Sequence, residues 1–455
     1  MEKTKEKYVI NVCYLDFLEK ESISSININK TFLDYFSEYV NVKIISFSGL
    51  NRLEEFFRRI NEDDFDYLYV DGFTFLIQAF LIREKFGLNI PFIVKLHSMF
   101  AWLYKYTYIV PLLREEDIIY APCEYAKQSF LHISEKNRVH VMYNFVDNKK
   151  IQKVVESDSC RRPVDKTITF MGRLVASKGI GLLIDIMPGI ISKVKNVSLK
   201  IIGPLSGTGI DDNCKSDFVH ELEEKVKKLE ISKHVIFEGV KFGDEKYELL
   251  FQSDIFVNPT ITPGETFPFV NIEALACGVP VITTDWGGNK ELIKDGYNGY
   301  LLQVLQQGTN GPEISKSKLI DLITGSLLNE PENFELKHNA FKTAAGYDYR
   351  KVFPVLTKLL KKRKKEYRDN NESWNDIKEK TVMDFSDCFT NDFIFFLNCQ
   401  YNFRVDKYKD LYNWVVHADF NAMKGLVRMS NNADVKQKRW NGLIRDDFIK
   451  IFHTF

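Results

Sequence analysis

Short apolar runs alternate with longer amphipathic stretches through the first third of the chain. Between Tyr8 and about Asp147 the runs are "YVINVCYL", "VKIISFS", "YLYVDGF", "PFIVKLH", "IIYAPCE" and "VHVMYNF". They are rich in Val, Ile, Tyr and Phe with little alternation, as strands buried on both faces require. Helix-length segments separate them, and strands so connected pair in parallel as βαβ units. The polar segment Asn148–Lys166, containing "ESDSCRRP", interrupts the pattern and reads as a linker. The pattern restarts with "TITFMGRL", "SLKIIGP", "HVIFEGV", "DIFVNPT", "PVITTDW" and "GYLLQV". The expected fold class is α/β: two Rossmann-like, doubly wound domains, 1–160 and 161–347, whose strand ends face a common cleft. From about Asp348 the chain turns helical and charged, so 348–455 reads as a helical tail, its first helix packing back on the N-terminal domain.

Composition narrows the chemistry. The chain has 455 residues, more than one core usually holds. Its 62 basic and 62 acidic side chains balance, which gives no reason to expect nucleic acid as a partner. Seven scattered cysteines, none in a C-x-x-C pair, fit a reducing compartment better than a disulfide frame or structural zinc. The apolar stretches Tyr67 to Ile82 and Pro91 to Leu113 are broken by Asp71, Gln78, Lys95, His97 and Lys105, so no bilayer span is expected. A cytoplasmic protein is the expectation.

Candidate chemistry gathers in the second half. "FMGRLVASKG" places Gly172, Arg173 and Lys178 in a strand-to-helix connection. Two cations beside a helix amino end suit a diphosphate, although an R-x4-K pair taken alone is an ordinary surface pair. In "LKIIGPLSGTG", Gly203 and Pro204 end a strand, with Gly207 and Gly209 after them, and Val240 ends the next one; such glycines let a ligand approach the backbone, but taken alone they read as an ordinary turn. "PGETFPFVNIEALACGVPVITTDWGGNKELI" is more particular. Pro263 and Gly264 make a turn, Glu265 stands at its end with the N–H groups of Thr266 and Phe267 following, and Glu273 falls on the next helix. Paired carboxylates accept hydrogen bonds from adjacent hydroxyls, and sugars offer such pairs.

Taken in order, "GRL…SKG", "IIGP", "FEGV", "DIFVNPT", the E-x7-E stretch and "DGYNGYLL" resemble the retaining GT-B glycosyltransferases of the family 4 type, across most of Thr167 to Leu302. The resemblance implies a GT-B fold and transfer from a nucleotide-diphosphate sugar (UDP-, GDP- or ADP-linked) to a saccharide or lipid-linked acceptor. It implies Glu265 at the donor sugar, Glu273 at the ribose, and Arg173 and Lys178 at the diphosphate. His97, in "KLHSMF", matches a histidine near the donor sugar, and "NFVD" (Asn144 to Asp147) is similar to the family's N-G-V-D. The first loop, "DFLEKESISSININKTF", departs from the family by lacking paired glycines.

The implied reaction is same-face attack with retention, a donor phosphate oxygen taking the acceptor proton, with no cofactor and no divalent metal expected. A D-x-D at Asp64 and Asp66 precedes its strand rather than ending it and reads as a solvated turn. The run "KKRKKE" (Lys361 to Glu366) reads as a solvated helix face, one that a juxtamembrane acceptor would make useful for peripheral contact with the inner face of a membrane. Cell-surface polysaccharide or glycoconjugate synthesis is the expected setting. The alternatives are a sugar-nucleotide epimerase on the same scaffold and a non-catalytic scaffold protein.

Overall fold

The computed structural model describes residues 10–16, 31–46, 65–71, 76, 79, 83, 88, 90–97, 113–114, 116–131, 139–157, 163–206, 216–261, 265–306 and 312–369. Pro263, Gly264, Gly207, Gly209, Asp64, most of the first loop and the tail beyond Asp369 lie outside them.

Two six-stranded parallel sheets form the frame. The first has the order β2-β1-β3-β4-β5-β6, from β1 (Asn11–Asp16), β2 (Asn41–Ser46), β3 (Tyr67–Val70), β4 (Phe92–Lys95), β5 (Ile118–Ala121) and β6 (Val139–Val141). The second has the order β12-β11-β10-β7-β8-β9, from β7 (Lys166–Met171), β8 (Val197–Ile202), β9 (Val235–Gly239), β10 (Ile255–Asn258), β11 (Val281–Thr284) and β12 (Gly299–Leu302). β3, β4, β5, β10 and β11 are buried at every position, which is why their sequences read as continuous apolar runs. A short antiparallel hairpin, β13 (Val304–Gln306) and β14 (Pro312–Ile314), follows the second sheet.

The segment read as a polar linker begins with a helix, Asn148–Val155. Asp147 caps it by accepting from the Lys150 N–H, and Ile151, Val154 and Val155 form its buried face. That i, i+3, i+4 spacing outweighs the polar composition on which the linker reading rested.

The helix Tyr349–Asp369 lies against the first sheet. Tyr349, Val352, Phe353, Leu356 and Leu360 share a buried cluster with Phe32, Phe36, Tyr67, Tyr69 and Tyr120. The Tyr67 hydroxyl donates to the Leu360 carbonyl, and Lys364 pairs with Asp66 at 2.7 Å. Asp66 also accepts from the Asn11 N–H, so the second acid of the D-x-D ties a strand edge to this helix. Among the described residues no helix is long and apolar enough to cross a membrane.

Candidate active site

In each sheet the first strand of the series sits inside, so the order reverses between β7 and β10 and between β1 and β3. Loops diverge at such a point and leave a crevice at the carboxyl ends of the strands.

The second sheet fills its crevice with an ion pair. Gly172 and Arg173 follow β7, and Ala176–Lys178 form one 3-10 turn. Glu265 follows β10 and is buried. Lys178 Nζ donates to Glu265 Oε2, and Thr260 Oγ1 donates to the same oxygen at 3.2 Å. Lys178 thus spans the switch point, joining the loop after β7 to the loop after β10. Arg173 is exposed and, among the described residues, has no acidic partner. The carboxyl ends of β7, β8 and β9 stand side by side: Gly172 N–H donates to the Ile202 carbonyl, and Gly203 N–H to the Gly239 carbonyl beside Val240. Pro204 follows Gly203 at the half-exposed rim.

Glu273 lies in the middle of the helix Phe269–Ala276. Lys246, on the helix Gly243–Phe251, holds its Oε1 at 2.6 Å, and both side chains are largely buried. The helix ends in a tight cap: Gly278 N–H donates to the Leu275 carbonyl and Val279 N–H to that of Ala274. Gly278 has φ +68°, a left-handed conformation that glycine adopts without strain. An amide chain links β10, this helix and the turn after β11, from Asn258 Nδ2 to Asn271 Oδ1 (2.9 Å) and from Asn271 Nδ2 to Asn289 Oδ1 (3.0 Å). All three asparagines are buried, so each bond replaces one to water and fixes the loop between β10 and the helix. From the other side Gly288 presses on that loop: a Cβ there would meet the Thr266 carbonyl oxygen at 1.6 Å.

The first sheet contributes the facing wall. The Thr266 hydroxyl donates to the His97 carbonyl at 3.1 Å, which sets His97 one residue from Glu265 across the cleft. His97 follows β4, and its Nε2 lies 2.8 Å from Asp71 Oδ1 at the end of β3. Lys95, buried at the end of β4, has its pKa lowered by desolvation while Asp71 pulls it back up. Asn144 Nδ2 donates to the Phe267 carbonyl at 2.7 Å, and Tyr143 packs on the Phe267 ring at 5.3 Å. Glu291 accepts from the Glu124 and Tyr125 N–H groups at 2.8 and 2.7 Å, capping the helix Glu124–Leu131 that follows β5. Asp147, from the N-F-V-D stretch, accepts from the Tyr35 hydroxyl and pairs with Arg350.

The structure therefore brings Glu265, Lys178, Thr266 and His97 into one place, and Gly172, Gly203 and Val240 into another on the same edge. Glu273 is set apart with its own lysine. Asp71, Lys246, Thr260 and Asn271 escaped the sequence reading as site residues, whereas Asn144 is picked out by the N-F-V-D stretch. Asp71 and Lys95 left one signal, a charge directly ending an apolar strand; Lys246 left none.

Opposed carboxyl edges of two parallel sheets, with a crevice between them, define the GT-B fold. The Anabaena protein Alr3699/HepE, solved in complex with UDP and glucose, shares this fold with a TM-score of 0.60 at 17% identity, covering 78% of this chain and 100% of that one. Residues 156–309 match the family of glycosyl transferases group 1. An uncharacterized glycosyltransferase of Methanocaldococcus jannaschii, MJ1178, is 28% identical over 287 residues, 61% of this chain and 71% of that protein. Phosphatidyl-myo-inositol mannosyltransferase of Mycobacterium leprae is 29% identical over 138 residues, 30% of this chain and 33% of that protein.

Proposed function

We propose that the protein moves a sugar from a UDP-linked donor to a saccharide or lipid-linked acceptor, in cell-surface polysaccharide or glycoconjugate synthesis on the cytoplasmic side of a membrane. The observation that carries the reading is the Lys178–Glu265 pair across the switch point, with His97 facing it. The UDP and glucose in the Anabaena complex support the donor class, and the lipid in the mannosyltransferase's name supports the acceptor class.

Each group then has a task. An ammonium has three donors, so Lys178 holds Glu265 with one and reaches a phosphate oxygen with another. Arg173 offers its fork to the same diphosphate, joined by the Thr266 and Phe267 N–H groups. These cations stabilise the charge that grows on the leaving diphosphate. Glu265 accepts from hydroxyls of the donor sugar. Glu273, steadied by Lys246, accepts from the ribose. The acceptor hydroxyl attacks from the face the diphosphate leaves and gives its proton to a phosphate oxygen, so configuration is retained without a protein nucleophile.

The test begins with thermal shifts of UDP, GDP and ADP, where a ligand at 100 times its Kd adds about 2.7 kcal/mol. Kinetics and calorimetry of four variants follow. Truncating one member of a desolvated charge pair costs about 2–5 kcal/mol, so Lys178→Ala is expected to lower kcat/KM roughly 30-fold or more, with weaker nucleotide binding. Arg173→Ala should act in the same direction. Glu273→Ala should act through KM, because ribose contacts are the same in ground and transition states. Glu265→Ala should lower kcat and leave nucleotide binding intact. Loss of nucleotide binding in Glu265→Ala, with both cation variants unchanged, would refute these roles.

A further inference from the structure

One carboxylate on the first sheet's side of the cleft has no part in the reaction as just described. Asp71 directly follows β3 and is buried, and His97 follows β4, the neighbouring strand. His97 Nε2 stands 2.8 Å from Asp71 Oδ1, with the imidazole side chain 41% exposed and the carboxylate 8%. An ionised carboxylate only accepts, so this contact requires Nε2 to carry a proton and donate it. In a neutral imidazole the lone pair then sits on Nδ1. The main chain of the same residue is fixed separately, by the Thr266 hydroxyl on its carbonyl. Ring and backbone are both held while nearly half the side chain stays open to the cleft.

A second charged group lies beside this carboxylate. Lys95, two positions before His97 on the same strand end, is buried with its Nζ 5.2 Å from the centroid of the Phe32 ring, and Asp71 is the charge that acts on it. The Asp71 carboxylate therefore acts on two neighbours, the ring of His97 and a lysine within the sheet. Tyr69 and Tyr120, whose hydroxyls share a hydrogen bond, are buried nearby, and burial, with the Asp71 charge adding to it, pushes both phenols well up.

We propose that Asp71 is a positioning residue for transfer: it locks His97 as the Nε2–H tautomer and leaves Nδ1 as an acceptor for a hydroxyl of the donor sugar. This rests on the cleft being the donor-sugar site. The pair acts as a reader of one hydroxyl, since a site built to accept a hydrogen bond rejects an analogue that lacks the donor.

Two variants and two readouts test it. In Asp71→Ala the ring loses its acceptor. In Asp71→Asn the shape is kept, but the amide N–H2 donates to Nε2 and moves the ring proton to Nδ1. Imidazole 15N shifts in histidine-labelled protein should show Nε2–H for His97 in the wild type and Nδ1–H in Asp71→Asn. Release of nucleoside diphosphate from the donor should slow in both variants by about 10- to 100-fold in kcat, as when the partner that orients an active-site histidine is removed. UDP affinity should stay within about twofold, because His97 does not touch the nucleotide, which a merely structural defect would not preserve. A wild-type tautomer and wild-type kcat in Asp71→Asn, or Nδ1–H in the wild type, would overturn the proposal. Failure of the wild type to bind UDP, GDP or ADP would sink the donor-site reading instead, and the tautomer result would still decide the Asp71–His97 pair.

Discussion

Two thiols sit where water does not follow. Cys13 lies inside β1 and Cys123 lies beneath the Gly287–Gly288 turn, and burial pushes each thiol up to about 12. A raised thiol pKa means the native chain keeps protons that the unfolded chain releases, so the two cysteines leave stability unaffected below about pH 9 and lower it as pH rises from there toward 12. We expect iodoacetamide at pH 8 to spare both until denaturant is added, and the fall in melting temperature between pH 9 and 11 to be shallower in Cys13→Ala. Rapid native alkylation of either thiol would contradict their burial. At this scale the sequence exposed the ionisable side chains that stand in motifs after apolar strands: Glu265, Glu273, Arg173, Lys178 and His97 could all be picked out. It did not expose their partners. Lys246 reaches Glu273 from 27 positions away and Asp71 reaches His97 from 26, distances bridged by sheet order and not by any local spacing.

Strands and helices were more legible than the contacts between them. Runs such as Phe92–Lys95 and Ile255–Asn258 declared themselves because both faces of a parallel sheet are covered. The helix Asn148–Val155 was hidden by its lysines, and the hairpin β13–β14 by its brevity. Elements also differ in what their glycines do. Gly288 lets one backbone touch another, so Gly288→Ala should displace the Glu265 loop, lower kcat and lower the melting temperature. Gly325 is the contrast: it lies exposed within the helix Lys316–Leu328, and a Cβ there meets nothing within 4 Å. Gly325→Ala should stabilise by about 0.5–1 kcal/mol, since alanine loses less backbone entropy in a helix. Equilibrium denaturation of both variants separates the cases, and equal effects would mean that the backbone contact at Gly288 does not matter.

Among the polar groups of the described residues that tie the two sheets, Glu291 makes two bonds from one side chain. Its two oxygens satisfy the first N–H groups of a helix belonging to the other sheet, where a carboxylate also meets the positive end of the helix dipole. Glu291→Ala should cost about 0.5–2 kcal/mol, the range of a lost helix cap, and should weaken coupling between the two halves so that calorimetry shows a broader transition. A single unfolding transition of unchanged width and midpoint would show that the cap contributes nothing to holding the sheets together.

The helix Tyr349–Asp369 sets an order on how this chain comes into being. Its Leu360 carbonyl receives the Tyr67 hydroxyl across 293 positions of sequence, and the whole second sheet is encoded between them. On a ribosome adding about 5–20 residues per second, the first sheet must wait tens of seconds with one aromatic face uncovered while its successor is made. The second sheet, local in sequence and complete by Leu302, is free to fold during that wait. The later half of the chain is thereby free to mature first, and the wall of the cleft that carries Lys178 and Glu265 can stand before the wall that faces it.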